Sequence, residues 1–217
     1  MRHFLNINSV NESDVLKLIQ RALAFKSGVQ PDQTNLTVSN LFFENSTRTH
    51  SSFQMAENKL GFQQIRIDPQ SSSMPKGESL VDTLKTLKAI GVDVAVIRHN
   101  VTSWYESVLS AEGHAIPQLV NAGDGSGQHP SQSLLDLVTI YEQFGHFTGL
   151  NIRIVGDLMH SRVARSNAEI LKRLGANMTF SGPENWLPKD FSQFGEFVAI
   201  DKEWEQLDVV MFLRVQH

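Results

Sequence analysis

Cysteine is absent from the 217 residues, which excludes a disulfide framework, a thiol nucleophile and zinc held by thiolates. The eight histidines show no HExxH spacing, so the helical zinc-hydrolase pattern is missing as well. No apolar run reaches the roughly 20 residues that a membrane span requires. The opening MRHFLNINSVNESD lacks the long apolar stretch of a secretory signal, and the expected location is the cytoplasm. Neither sign of charge is in large excess: 19 Lys and Arg stand against 23 Asp and Glu, a net charge of -4. That balance gives no overall attraction to nucleic acid or to an anionic membrane, so any anion site must be a local concentration of positive charge. Repeats and low-complexity tracts are lacking too. What is present is 41% hydrophobic residues, enough core for one large domain or two small ones.

Apolar runs alternate with helical patterns, the arrangement of βαβ units and parallel sheets. Asn11 or Ser13 can cap a first helix whose apolar face carries Val15, Leu16, Ile19, Ala22 and Leu23, with Gly28 at its end. Strands are expected at 36–43, 63–67, 92–97, 151–155, 177–181, 197–200 and 209–213. Helices are expected from about Thr47 to Gly61, and at 79–90, 104–111, 130–144 and 162–174. Residues 69–77 read as a loop, and NAGDGSGQ, 121–128, as a glycine-rich loop before Pro130 opens a long helix. A boundary near 144–149 gives a first domain at 1–144, with helix 130–144 as a bridge, and a second at 150–217. The chain stops at His217 directly after a strand. In open α/β folds sites form just past the carboxyl ends of strands, so the stop predicts a second domain that is incomplete.

The sharpest chemical feature is LFFENSTRTHSSF, 41–53. A buried strand delivers Ser46, Thr47, Arg48 and Thr49 to a helix start, where free backbone N–H groups and the helix dipole favour an anion. One hydroxyl would cap a helix; three hydroxyls and a guanidinium exceed that need and suit a phosphate. Arg98, in VIRH, ends an apolar strand, either surfacing into water or facing a ligand at the sheet edge. His129, before Pro130, either caps its helix or donates to a developing oxyanion, with Gln132 one turn on. Ser72 and Lys76 lie in SSSMPKG, a surface loop or a mobile lid. In GDLMHSRVARS, 156–166, one glycine stands where a dinucleotide loop needs three. Arg162 and Arg165 at that helix start oppose the dipole unless they turn away or an anion is bound. Arg214 again ends a strand, followed by Gln216.

These motifs, FFENSTRT, SSSMPKGES, VIRH, GSGQHPSQSLLDL, GDLMHSRVARS and LRVQ, occur in this order across nearly the whole chain. In them the sequence resembles the aspartate/ornithine carbamoyltransferase family. Glu44, where ornithine enzymes carry Lys, the SSSxxKGE loop and the RVQ end resemble its aspartate-using members. The resemblance implies two Rossmann-like domains with parallel sheets flanked by helices. It implies transfer of the carbamoyl group of carbamoyl phosphate to the amine of L-aspartate, giving N-carbamoyl-L-aspartate and phosphate, a step of de novo pyrimidine biosynthesis. It implies no cofactor and no metal.

Carried over by the resemblance, Ser46, Thr47, Arg48 and Thr49 hold the phosphate, and Arg98 spans phosphate and carbamoyl oxygen. His129 donates to the carbonyl oxygen and Gln132 accepts from the carbamoyl amide. Arg162 and Arg214 bind the aspartate carboxylates with Gln216 beside them. Ser72 and Lys76 reach a neighbouring subunit's site, within a homotrimer that regulatory or dihydroorotase chains can join. Family chains run on past His217 by roughly another third, a domain-scale length. The competing readings are an ornithine-using enzyme, a non-catalytic anion-binding module and a nucleotide-binding Rossmann module.

Overall fold

A computed structural model describes residues 2–69, 77–111 and 115–214. The chain forms two compact units, each assembled from two stretches. One takes the residues up to Leu5 together with Gly28–Gly125, and the other takes Asn6–Ser27 together with the chain from Ser126 onward.

The first unit is built on a parallel sheet of β1 (Thr37–Phe42), β2 (Gln63–Arg66), β3 (Val94–His99) and β4 (Gln118–Asp124), in the order β2-β1-β3-β4. Alternation along the strands sends side chains to two apolar layers. Leu41, Ala95, Ile97 and Leu119 join one cluster of buried residues, which α3 (Leu80–Ala89) covers with Leu84 and Leu87. The same cluster holds Trp104, Tyr105 and Val108 of α4 (Trp104–Ser110). Val38, Val96 and Ala122 face the other way, where Phe53 of α2 (Thr47–Lys59) packs on them. Covering both faces of a parallel sheet is what makes its strands read as nearly continuous apolar runs.

The fourth strand was not expected from the sequence. Residues 121–124 extend β4 and do not belong to a glycine-rich loop. Their polar side chains are buried because they bond one another: Asn121 Nδ2 donates to Leu5 O at 2.8 Å and to Asp124 Oδ1 at 3.0 Å. Asp124 Oδ2 in turn accepts from the N–H of Ser103, which sits at φ 53 at the start of α4. The loop proper begins at Gly125. A Cβ there would lie 2.5 Å from Thr102 Oγ1 and 2.8 Å from Asn100 O, so only glycine fits. The third strand also runs two residues further than expected and takes in Arg98 and His99.

The second unit holds the parallel sheet β5 (Asn151–Val155), β6 (Asn177–Ser181), β7 (Gly195–Phe197) and β8 (Val209–Phe212), in the order β7-β6-β5-β8. Around it lie α1 (Glu12–Lys26), α5 (Pro130–Phe144) and α6 (Arg162–Arg173). Asn11 caps α1 by accepting from Asp14 N, and Gly28 follows at φ 106. Helix α5 begins at Pro130 and stops at Gly145, where φ is 73, as its sequence predicts. One residue of the core is unexpected: Arg153 on β5 has no exposed surface. Its Nε donates to Thr179 Oγ1 at 3.1 Å, its guanidinium lies over the Trp204 ring, and Nη2 is 3.6 Å from Glu203. A buried charge persists only with such partners.

Candidate active site

Helix α2 starts where β1 ends, and Ser46 is the residue before its first turn. Ser46 makes no capping hydrogen bond with its side chain, unlike Asn11, Ser79 and Ser161 on their helices. Thr47 and Arg48 are exposed, and Ser46 and Thr49 half-buried. The helix therefore presents N–H donors, hydroxyls and a guanidinium outward instead of closing them on itself. A cavity of about 570 Å³ opens beside this turn, and Ser46, Thr47, His50, Arg66 and Asp68 are among the residues that line it.

Arg98 lies on the next strand, in register with Phe42 at the end of β1. Its Nε donates to Glu44 Oε2 at 3.2 Å, and Nη1 donates to Ala122 O at 3.4 Å. The side chain is only 12% exposed, so it does not surface into water. The His99 ring beside it lies tilted against Phe43, and its Nδ1 accepts from Val101 N at 2.9 Å. Burial holds its pKa below the usual 6.5, against an opposing pull from Glu44.

In the second unit His129 precedes Pro130 and is 7% exposed. Its ring caps nothing. Its backbone N–H donates to Ser166 Oγ at 2.9 Å, and Nδ1 lies 3.4 Å from Ser131 Oγ. Ser166, inside α6, is a junction: the hydroxyl also contacts Gln128 Oε1 and Arg162 O, each at 3.0 Å. It joins the start of α5 to the first turn of α6. Gln132 donates from Nε2 to Asp136 Oδ1 at 2.9 Å, which leaves its carbonyl oxygen as the acceptor. Asp136 also accepts from Asn167, and burial raises its pKa despite both bonds.

Arg162 opens α6 after β5, and Arg214 follows β8. Those strands are neighbours, with Val155 opposite Phe212, so both arginines stand at the carboxyl edge of one sheet. Arg165, the other cation of that helix start, turns away: Nη1 bonds Asp190 Oδ2 at 2.6 Å and the guanidinium lies over Phe191. The sequence-expected residues thus fall in two sets, with Ser46–Thr49 and Arg98 in one unit and His129, Gln132, Arg162 and Arg214 in the other. Ser72, Lys76 and Gln216 lie outside the described residues. Sequence reading passed over Asp136 and Ser166. Asp136 stands four residues after Gln132 on one helix, a spacing that signals contact, whereas nothing local marks Ser166. Among the described residues no three His, Asp or Glu side chains converge as a metal would require.

Residues 2–142 match the model of the aspartate/ornithine carbamoyltransferase carbamoyl-P binding domain. The chain belongs to the aspartate/ornithine carbamoyltransferase family. Within that family it is 77% identical to a Leuconostoc citreum protein named aspartate carbamoyltransferase catalytic subunit, over the whole chain and 72% of that relative's length. The fold agrees. The catalytic subunit of M. jannaschii aspartate transcarbamoylase superposes with TM-score 0.81 at 32% identity, covering 100% of this chain and 74% of that one. The Trypanosoma cruzi aspartate transcarbamoylase, in complex with carbamoyl aspartate and phosphate, gives TM-score 0.87 at 29% identity, covering 99% and 75%.

Proposed function

We infer that this chain is the catalytic polypeptide of an aspartate carbamoyltransferase, transferring the carbamoyl group of carbamoyl phosphate to L-aspartate. Its relatives carry that name, and a structural neighbour is in complex with carbamoyl aspartate and phosphate, the two products. The observation that carries the reading on this chain is the outward-facing, uncapped start of α2. Such a turn holds a doubly charged phosphate with backbone amides, hydroxyls and Arg48.

In this reading Ser46, Thr47, Arg48 and Thr49 hold the phosphate and Arg98 bridges it to the carbamoyl oxygen. His129 donates to that oxygen, and Gln132, its amide turned by Asp136, accepts from the carbamoyl NH2. Arg162 and Arg214 take the aspartate carboxylates, with Gln216 beside them. The neutral amine attacks the carbamoyl carbon, the oxyanion is stabilised by Thr49, Arg98 and His129, and phosphate leaves with the amine's proton. No side chain forms a covalent bond, which suits a chain without cysteine. Rate comes from orientation and fixed charge. Residues 1–144 serve as the carbamoyl phosphate-binding region and 150–217 as the aspartate-binding region. The working assembly is a homotrimer in which Ser72 and Lys76 serve a neighbouring site, and the step belongs to cytoplasmic pyrimidine biosynthesis. Such a trimer is one that regulatory or dihydroorotase chains can join.

Assay of carbamoyl phosphate with aspartate and with ornithine tests the reading. Carbamoyl aspartate is the expected product. Turnover of ornithine alone would overturn the assignment, because a distal ammonium would then have to sit by Arg214.

A further inference from the structure

The helix that presents the phosphate cradle is poorly fastened by apolar contact. Phe53 reaches the sheet cluster, Met55 is 57% exposed, and the one residue of α2 that is fully buried is a carboxylate, Glu57, at 4% exposure. Beneath it on β1 lies Asn40, on the same face as Val38 and Phe42. Asn40 Nδ2 donates to Glu57 Oε2 at 2.9 Å. The other two oxygens of this couple, Glu57 Oε1 and Asn40 Oδ1, are both buried and both without a hydrogen-bond partner. Two orphan acceptors on groups already joined by one bond lack a single proton between them.

We propose that Glu57 carries that proton. Oε1–H donates to Asn40 Oδ1 while Asn40 Nδ2–H donates to Glu57 Oε2, a closed acid–amide pair that seats the phosphate helix on β1. Glu57 is then a positioning residue, acting on the phosphate through the orientation of residues 46–49. The inference rests on the proposed reading of those residues as a phosphate cradle.

One added proton satisfies both orphan oxygens, where a buried carboxylate would leave two unpaired acceptors and an uncompensated charge. Cations on the neighbouring elements would favour the charged form only if one were paired with Glu57. Helix α2 carries Arg48, His50 and Lys59, β2 carries Arg66, and β1 has no ionisable side chain. Among the described residues none of these forms an ion pair with Glu57. Burial is the larger influence on its pKa and raises it, and the bond from Asn40 opposes in part. The sign of the linkage follows. Stability from the pair is complete below the ordinary value of 4.5 and is lost as pH rises through the raised value in the folded chain.

The test compares the 217-residue chain with Glu57→Gln and Glu57→Ala. Glutamine can close the same ring with its amide in place of the proton, and it does not titrate. Infrared difference spectra between wild type and Glu57→Gln at mildly acidic pH should show the carbonyl stretch of one protonated carboxyl group in wild type. That stretch should fade as pH rises. Calorimetric titration with inorganic phosphate should give Glu57→Gln within about twofold of wild type at the acid end, and Glu57→Ala about tenfold weaker. Wild type should also lose affinity relative to Glu57→Gln toward alkaline pH. The pair is overturned if no carboxyl band distinguishes wild type from Glu57→Gln. Its role under the phosphate is overturned if Glu57→Gln is as weak as Glu57→Ala, or if wild type and Glu57→Gln respond identically to pH. Wild type that shows the band yet binds no phosphate at any pH overturns the cradle reading and, with it, the positioning role.

Discussion

Ser46 and Ser161 occupy equivalent positions before their helices, and their hydroxyls do different things. Ser161 Oγ accepts from Ala164 N at 3.1 Å and is buried, whereas Ser46 caps nothing. Ser161→Ala should therefore cost about 1 kcal/mol of stability in urea denaturation. Ser46→Ala should stay within about 0.5 kcal/mol in the same experiment while weakening phosphate binding by about tenfold in calorimetry. Arg48→Ala removes the guanidinium of the cradle and should lower kcat/KM for carbamoyl transfer by about 3 kcal/mol or more of transition-state stabilisation. Near-normal turnover would dismiss the role. His99 sets a pH response of the fold. Its folded pKa lies below 6.5, so its contribution is intact above 6.5 and is lost as pH falls, when the unfolded chain takes up the proton more readily. His99→Asn keeps an acceptor for Val101 N and should flatten the fall in melting temperature on the acid side of 6.5. An unchanged slope would assign that fall elsewhere.

Among the elements, legibility follows from how local each cause is. Helix α5 was readable to its last residue, because Pro130 and Gly145 punctuate it and its apolar face repeats every three to four residues. Strands β5 and β6 were bounded correctly for a similar reason. Strand β4 was not. Asn121, Gly123 and Asp124 carry turn chemistry in isolation, and only Leu5, Ser103 and the neighbouring strand convert them into a buried polar strand end. The proposed anion turn stands out in the sequence because its donors are consecutive in the chain. Asp136 holding Gln132 was within reach of helical spacing, but the Ser166 junction depends on packing 37 residues away from His129 and left no trace in local pattern. The tie between Asn40 and Glu57 is hidden for the same reason: a glutamate on a helix reads as a solvated charge until the strand beneath it is known.

For the whole molecule, the proposed shared site makes a prediction that no single chain can test. Lys76→Ala and Arg48→Ala chains, each inactive alone, should regain part of the activity when dissociated and mixed, since some mixed trimers would place an intact Lys76 against an intact Arg48. Absence of recovery in the mixture would rule out the exchange of residues between neighbours. A different consequence comes from the order in which the chain visits its two units. Helix α1 is made first, yet it packs on α5, with Lys26 bonded to Glu142 at 2.6 Å, and Arg173 of α6 holds the carbonyls of Ile7 and Val10 just ahead of it. On the ribosome, then, this helix waits with its oily side uncovered until α5, more than a hundred residues later, has been made. Neither unit can be lifted out as a contiguous cassette: transplanting the stretch from Ser126 onward into another protein would leave behind the piece of chain on which its first helix rests.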